Sequence, residues 1–546
     1  MRLFPAIVRS SGFVSVAAAL LVGACAEPLT APATRPTAPS AGRAVVLSPA
    51  FNGRIRIGVV PSATSVTIGS DASWTLRNKV TGATLISGGA GNANVTLSSV
   101  SVSHTNWRLQ VMCTTSIAQR DARLALAESK GYPTYTVFVT GANCWRVMIG
   151  EYPSTMTFAQ RVTEKNVMIA AGLAAADAFW QSVTIIEGVT SYSVNYGSGP
   201  AVTTSDAVVL DAGEGPVRIN GVLYRGLAEV IRNSSGSLAG VNELPIEEYL
   251  YGVVPRELPP NPWGQPEAQK AQAIAARTYA LSGLGKRAAD GYDLLATTSD
   301  QVYGGFSAER AVSTAAVDAT RGIVAERDGR LISALYSSTT GGWTANNEEA
   351  FNSAPVDYLR SVPDEQRGNA IEHVPSLDVF RNAANARSLR AERGGAFEAD
   401  WSSYHRWTFE WTPAEISAVL SAWYGLPVGN VQAINVLERG PSGRVTWIEF
   451  VTDAGTFEQR RDQIRSTLKY INAAGAQTSL PSTLFFIEPV INPRTKVLDG
   501  YRVYGGGFGH GVGMGQTGAA GMADKGATYE EILKHYYQGI DLTAAY

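Results

Sequence analysis

A glycine-rich segment near the C-terminus carries polar side chains that could contact a ligand. Residues 505–518 read GGGFGHGVGMGQTG, with His510 and Gln516 among the glycines. The G-x-G-x-x-G spacing inside it does not indicate a dinucleotide site, because only 28 residues follow and the required crossover unit cannot fit. Glycine lets a backbone approach a ligand closely. We therefore expect a binding loop with His510 and Gln516 as polar contacts, and a flexible turn is the alternative.

Two cations lie on the apolar stripe of an alanine-rich helix that should begin at Pro266. Proline suits the first helical turn, and alanine favours both the helix and close packing. Lys270, Ile274 and Arg277 follow i, i+4, i+7 spacing on one face. Cations on such a face need carboxylate or sugar partners, so Lys270 and Arg277 are candidate ligand contacts.

The composition excludes several classes of protein. The 546 residues include 45 basic and 47 acidic side chains, and this net charge of −2 argues against a nucleic-acid partner. Three cysteines are too few for a disulfide scaffold or a cysteine-rich metal module. The five histidines show no ligand spacing. We expect no metal and no cofactor.

The N-terminus indicates export. Arg2 and Arg9 precede an apolar stretch that is too short for a membrane span and runs into VGAC at Cys25. This pattern resembles a bacterial lipobox, so we interpret residues 1–24 as a lipoprotein signal peptide with Cys25 as the lipid attachment site. An ordinary secretory signal is the alternative. Residues 25–50 form a Pro/Ala/Thr-rich tether. The expected location is the cell envelope, facing the periplasm from the outer membrane if the cell has one.

Residues 104–180 show two Trp-Arg strands, WRLQV and WRVMI, each followed by a helix-like run. Their β-α-β-β-α order is most of a ferredoxin-like unit. The segment resembles a SPOR domain, which implies binding of peptidoglycan glycan strands that lack stem peptides; an unrelated α/β insertion is the alternative. In a ferredoxin-like sheet the first and third strands are neighbours, so Cys113 and Cys144 would form a disulfide in an oxidising envelope. Two free thiols are the alternative.

Five ordered motifs resemble the SpoIID/LytB family of peptidoglycan-acting sporulation and cell-wall proteins. They are VNELPIEEYLYGVVPREL, EAQKAQAIAARTYAL, SSTTGGWT, GFGHGVGMGQTGAAGMADKG and YEEILKHYYQGI. The resemblance covers residues 183–546, and the β-rich residues 51–100 belong to the same region. It implies an α+β fold: a SpoIID-like mixed α/β catalytic domain with the SPOR-like module inserted.

The resemblance implies a lytic transglycosylase that cleaves MurNAc–GlcNAc bonds of denuded strands and forms 1,6-anhydroMurNAc ends. Glu257 occupies the family's catalytic-acid position, expected on a turn between a strand ending in GVV and the alanine-rich helix. The structural alternative is a carboxylate paired with Arg277. The implied substrate-binding residues are Lys270, Gln272, Arg277, Tyr303, Tyr336, Ser337, Ser338, Thr339, His510, Gly511, Met514, Gln516 and Tyr536.

One departure from the family bears on metal binding. Metal-binding relatives carry a His-Cys pair where this sequence has Ser299 and Asp300, so we expect no zinc. Some members of the family are amidase modifiers. The alternative function is therefore a non-catalytic glycan-binding lipoprotein that modulates an N-acetylmuramoyl-L-alanine amidase partner.

Overall fold

A computed structural model describes residues 51–98, 102–139, 142–187, 191–364, 377–378, 380, 396–398, 402–472 and 475–546. The predicted signal peptide, the tether and Cys25 lie outside these residues. None of the described helices is both long and apolar enough to cross a membrane.

The described strands, in chain order, are β1 (Arg54–Ala63), β2 (Ser65–Ser70), β3 (Trp74–Asn78), β4 (Thr84–Gly88), β5 (Gly91–Leu97), β6 (Val102–Thr114), β7 (Thr134–Val139), β8 (Cys144–Pro153), β9 (Phe179–Glu187), β10 (Tyr192–Tyr196), β11 (Val202–Thr204), β12 (Val208–Asp211), β13 (Val217–Ile219), β14 (Val222–Tyr224), β15 (Leu227–Arg232), β16 (Leu238–Pro245), β17 (Leu294–Leu295), β18 (Ile323–Arg327), β19 (Arg330–Leu331), β20 (Tyr336–Ser337), β21 (Trp407–Trp411), β22 (Val431–Arg439), β23 (Val445–Thr452), β24 (Gly455–Arg460), β25 (Lys469–Ile471), β26 (Gln477–Ser479), β27 (Phe485–Ile491), β28 (Leu498–Gly505), β29 (Met514–Gly515) and β30 (Asp541–Ala544).

The described α-helices are α1 (Ile117–Ser129), α2 (Phe158–Ala170), α3 (Ile246–Glu257), α4 (Pro260–Trp263), α5 (Pro266–Ser282), α6 (Ala311–Ala319), α7 (Asn347–Ala350), α8 (Pro413–Tyr424), α9 (Gln463–Thr467), α10 (Gln516–Asp524) and α11 (Tyr529–Tyr536). Helices and sheets are both present, which confirms the predicted α+β class.

Two sheets and two helices enclose the main core. One sheet has the order β17-β1-β16-β15-β12-β3-β4 and the other β11-β10-β5-β2-β13-β14. In the first sheet β1, and in the second β5 and β2, lie between strands that come after residues 104–180 in the chain. Helices α3 and α5 pack against this core. Helix α5 is buried on two sides: Ala273 and Ala276 face the sheets, whereas Ala271 and Ala275 pack against α10 and α11. Alanine permits such close approach on both faces.

Helix α3 corrects a prediction. The GVV segment was expected to end a strand, yet it lies inside the helix. Val253 and Val254 are fully buried in the main core. A Cβ atom on Gly252 would lie 2.6 Å from the Tyr303 ring, so glycine is required for this contact. Tertiary packing therefore overrides the strand preference of the valines.

Residues 102–187 form a separate layered unit. Strands β6 to β9 make an antiparallel sheet of order β7-β8-β6-β9, and α1 and α2 pack on it. Cys113 on β6 and Cys144 on β8 are joined by a disulfide, with Cα atoms 5.5 Å apart.

A further core lies near the C-terminal end, within the region read from sequence as one continuous domain. Helix α8 packs with the sheets β21-β28-β27 and β22-β23-β24 around buried Trp411, Phe450 and Tyr501. Residues 407–503 thus bury apolar surface of their own, apart from the core around α5.

Candidate active site

Glu257 is the last residue of α3 and remains partly exposed. Its Oε1 accepts a hydrogen bond from the Val302 backbone N–H at 2.5 Å. Its Oε2 lies 3.4 Å from the donating Nε2 of Gln516. Arg277 is elsewhere, paired with Glu247, so the alternative in which Arg277 satisfies Glu257 is wrong.

The surroundings of Glu257 favour its protonated form. Burial raises the pKa of the carboxyl to about 7 from an ordinary value near 4.5. The hydrogen bonds from Val302 and Gln516 and the charge of exposed Arg256 lower the pKa but do not outweigh burial. A carboxylic acid with this pKa can both give and take a proton near neutral pH.

Two tyrosines and three glutamines support this carboxylate. Burial keeps the pKa of Tyr336 well above its ordinary value, and its hydroxyl interacts with Glu257. That hydroxyl accepts from Gln301 Nε2 at 2.9 Å, and Gln301 Oε1 accepts from Tyr249 at 3.1 Å. Gln272 Oε1 lies 3.3 Å from Gln516 Nε2 and helps to hold that amide.

The hydroxyl-rich loop and the glycine-rich loop meet beside Glu257. Strand β20 pairs in parallel with β29, which brings Tyr336 opposite Met514. Thr339 and Phe508 exchange two backbone hydrogen bonds. Ser338 O accepts from both the backbone and the hydroxyl of Thr517. Motifs far apart in sequence therefore form one surface with Glu257.

Most of the glycine-rich loop is packed against protein, while Phe508 to His510 keep some exposure. Gly511 has φ +77°, and a Cβ there would lie 2.2 Å from the Arg444 guanidinium. Gly518 packs against the Tyr536 hydroxyl, with a Cβ distance of 2.1 Å. His510 Nδ1 accepts from Val512 N–H, and burial lowers the pKa of this histidine to about 4, so its ring is neutral.

Several predicted substrate contacts are corrected because their side chains are buried. The fully buried ones are Gln272, Arg277, Thr339, Met514 and Tyr536. Tyr303 is 6% exposed and its hydroxyl donates to Asn242, and Gly511 is also buried. These residues support the site and have no surface for a sugar. Ser337 and Gln516 are also buried, at 6% exposure. Tyr336, Ser338 and His510 are partly exposed.

Lys270, Glu267 and Glu348 are held in ion pairs within the protein. Lys270 Nζ lies 2.6 Å from Glu267, whose other oxygen accepts from the Tyr529 N–H and so ties α5 to α11. Glu348 pairs with both terminal nitrogens of Arg360, which holds the pKa of that carboxyl below its ordinary value.

Sequence reasoning missed the groups that support the hydroxyl-rich loop. Glu398 accepts from the Thr340 N–H at 2.6 Å and from the Gly341 N–H at 2.7 Å. Burial and the neighbouring Glu398 carboxylate raise the pKa of Asp364 well above its ordinary value. Buried Arg444 donates to Thr340 O at 2.6 Å. No local sequence pattern indicates these residues. The available signal is that the backbone groups of a buried loop need hydrogen-bond partners.

The segment that holds Ser299 and Asp300 forms an ion-pair cluster. The Asp300 side chain is fully buried and pairs with Lys286 at 2.7 Å and with Arg287 at 2.9 Å. Among the residues that the structure describes, no group of three His, Cys, Asp or Glu side chains is arranged to hold a metal ion.

Two family models match the chain. "Stage II sporulation protein" matches residues 234–326, which include α3, α5 and Glu257. "Domain of unknown function" matches residues 345–513, which include the core around α8.

Similar proteins extend these matches. An uncharacterized protein of Brachyspira hyodysenteriae is 30% identical over 367 residues, which cover 66% of this chain and 82% of the relative. The amidase enhancer of Bacillus subtilis is 30% identical over 315 residues, 54% of this chain but only 40% of that protein. Stage II sporulation protein D of Bacillus subtilis is 28% identical over 322 residues, 56% of this chain and 76% of the relative.

Proposed function

Since this chain belongs to the SpoIID/LytB family and therefore has a cell-wall-related function, we propose that it is a lytic transglycosylase. Its substrate is a peptidoglycan glycan strand without stem peptides, and its product carries a 1,6-anhydroMurNAc end. The observation that carries this proposal is the raised pKa of Glu257 on a surface formed by the family's motifs.

One carboxyl group suffices for this reaction. Protonated Glu257 gives its proton to the glycosidic oxygen as the bond from MurNAc C1 breaks. The resulting carboxylate takes the proton of the MurNAc C6 hydroxyl, and that oxygen bonds to C1 and closes the ring. No water is consumed and the acid is regenerated. A hydrolase would normally need a second carboxylate to activate water.

The groups around Glu257 suit both halves of this cycle. Burial favours the protonated form that starts the reaction, while the Val302 N–H and the Gln516 amide stabilise the carboxylate that forms midway. Tyr336, Ser338 and His510 offer partly exposed polar groups for the sugar hydroxyls.

The test is Glu257→Gln, which keeps size and hydrogen bonding but removes the transferable proton. We expect strand cleavage to fall roughly 10²–10⁴-fold with glycan binding retained. Glu348→Gln is the control, because that carboxyl is paired with Arg360. Mass analysis of denuded glycan incubated with each protein checks the result. Unchanged formation of anhydro ends by Glu257→Gln would refute the role of this acid.

The amidase-enhancer relative favours a second candidate function, a glycan-binding protein that modulates an N-acetylmuramoyl-L-alanine amidase partner. The same experiment separates the two. Purified wild-type protein that binds strands but makes no anhydro ends, and that raises the rate of an added amidase, would support the modulator.

We propose that residues 104–180 are a SPOR-like, ferredoxin-like glycan-binding module. The strand order β7-β8-β6-β9 supports this interpretation. Leu109 faces the helices, so Arg108 and Gln110 lie on the other face of the sheet, where Arg108 is partly exposed and Gln110 is buried. There the Arg108 guanidinium lies 3.1 Å from the centroid of the Tyr135 ring, and Gln110 accepts from Gln181. Such a polar and aromatic face suits sugars.

The proposed location follows from the cell-wall relatives and the N-terminal sequence. We propose that the chain is exported, carries a lipid on Cys25 and spans the distance to its substrate with residues 25–50 as a tether.

A further inference from the structure

An aromatic cavity lies in the region matched by the domain of unknown function. Its volume is about 610 Å³. The residues that line it are Ser403, Tyr404, Trp407, Phe409, Tyr470, Ile471 and Asn472. All seven are uncharged, so the cavity suits a neutral ligand better than an anionic polymer or a basic peptide.

The rings of this cavity form a continuous wall. The centroids of Trp407 and Phe409 are 5.2 Å apart with the planes at 27°, and Phe409 and Tyr470 are 3.7 Å apart at 23°. Tyr404 is 37% exposed, and its ring centroid lies 4.4 Å from that of Phe508. Aromatic faces carry partial negative charge and attract the C–H groups on one side of a sugar ring.

The cavity is fixed to the loop that carries Gln516. Trp407 Nε1 donates to Gly507 O at 2.9 Å, and Gly507 N–H donates to Tyr404 O at 2.8 Å. The next residue, Phe508, pairs with Thr339, whose hydroxyl accepts from Thr517 at 3.2 Å. Thr517 follows directly after the residue that contacts Glu257. This series of hydrogen bonds links the wall of the cavity to the loop that carries Gln516.

We propose that the cavity is a subsite for a neutral, N-acetylated sugar of the same glycan strand that reaches Glu257. The inference rests on the proposed function for the identity of that strand. The rings provide stacking surfaces, and exposed Ser403 provides a hydroxyl in the lining. The subsite would hold a long strand in place while one bond lies at the acid, so it governs affinity and not the chemical step.

The test measures binding of a hexamer of β-1,4-linked N-acetylglucosamine by calorimetry, using the full chain with Glu257→Gln in every sample. Adding Tyr404→Ala should weaken binding about tenfold or more, because aromatic anchors dominate such contacts. Trp423→Ala is the matched control: Trp423 is 38% exposed on α8 and does not line the cavity. Tyr404→Phe, which keeps the ring, should restore most of the affinity.

A second variant separates loss of the subsite from misfolding of the protein. Ile471 is 57% exposed at the cavity, so Ile471→Glu leaves the core intact while adding a charge to the neutral wall, and it should also weaken binding. Unchanged hexamer affinity in both Tyr404→Ala and Ile471→Glu would overturn the inference, as would the absence of hexamer binding.

The binding measurement tests the subsite whether or not the protein is an enzyme. Tyr404-dependent binding together with a wild-type protein that makes no anhydro ends would support the subsite and refute the proposed enzyme. In an active enzyme, Tyr404→Ala should raise KM on long strands and leave kcat nearly unchanged; a loss confined to kcat would count against the subsite.

Discussion

Two of the three glutamates of helix α3 lie in contrasting environments, Glu247 in its first turn and Glu257 at its last residue. Arg277 donates to both oxygens of Glu247, at 2.8 and 2.7 Å. Burial alone would raise the pKa of Glu247, but the hydrogen bonds and charge of Arg277 hold it below the ordinary value. Glu257 receives only neutral donors, and burial raises its pKa to about 7.

The contrast shows that burial does not by itself define the role of a carboxylate. A buried acid with a cation partner stays ionised and ties elements together, here α3 to α5. A buried acid with neutral partners can hold a proton near neutral pH. The helix adds to the difference, because its N-terminal end favours an anion and its C-terminal end disfavours one.

Breaking the Glu247 pair should have the largest effect on stability. Arg277→Met leaves a buried carboxylate without its cation, so the free energy of unfolding should fall by about 3–5 kcal/mol. Arg256→Met, at the exposed end of the same helix, is the control and should change little. Denaturant titration at pH 7 measures both. A loss below about 1 kcal/mol for Arg277→Met would show that this pair does not anchor the helix.

Removing the charge of Glu257 should have the next largest effect, with the opposite sign. Its folded pKa is raised above the unfolded value, so the wild type loses stability as the pH rises from about 4.5 to about 7. Glu257→Gln cannot ionise. It should therefore be more stable than the wild type at pH 8, by at most about 3 kcal/mol, with a much smaller gain at pH 5.

Glu348→Gln provides the matched comparison for that measurement. The Arg360 pair lowers the pKa of Glu348, so its stabilisation is present above the unfolded pKa and lost on acidification. This variant should lose stability at pH 8. Melting temperatures of both variants across pH test the signs; a loss of stability at pH 8 in Glu257→Gln would contradict the raised pKa.

The smallest effect should come from the amide beside the acid. Gln516→Leu removes a hydrogen bond that favours ionised Glu257, so the pKa of the acid should rise further by less than about one unit. The alkaline limb of the profile of kcat/KM against pH should therefore move toward higher pH. Movement toward lower pH would mean that the Gln516 amide does not stabilise the carboxylate.

Local sequence signals predicted secondary-structure elements better where tertiary packing did not override local preference. The alanine-rich helix α5 follows from composition and spacing, and it begins at Pro266 as expected. The valines before Pro255 favoured a strand because their local preference is for β structure, whereas their burial against the sheets holds them in α3. Periodicity carries no information about that packing.

The site was predictable as far as its motifs extend. The meeting of Glu257, Tyr336 and Gln516 follows from the family resemblance. Glu398 and Arg444 escaped notice because their partners are backbone groups of a loop more than fifty residues away, and such contacts leave no spacing in the sequence. The cations on α5 were correctly expected to need partners, but Arg277 found its partner within the protein.

The pairing of strands that are far apart in sequence has a consequence for folding kinetics. Strand β1 pairs with β16, about 190 residues later, and β18 pairs with β30 near the C-terminal end. Such high contact order means that loop-closure entropy must be overcome before these pairs stabilise the chain, so folding should be slow. Until β16 arrives, β1 presents an unpaired edge, and the insert between them can complete its own local sheet first. The nascent chain should therefore pass through a state in which the insert is folded and the surroundings of Glu257 are not yet assembled.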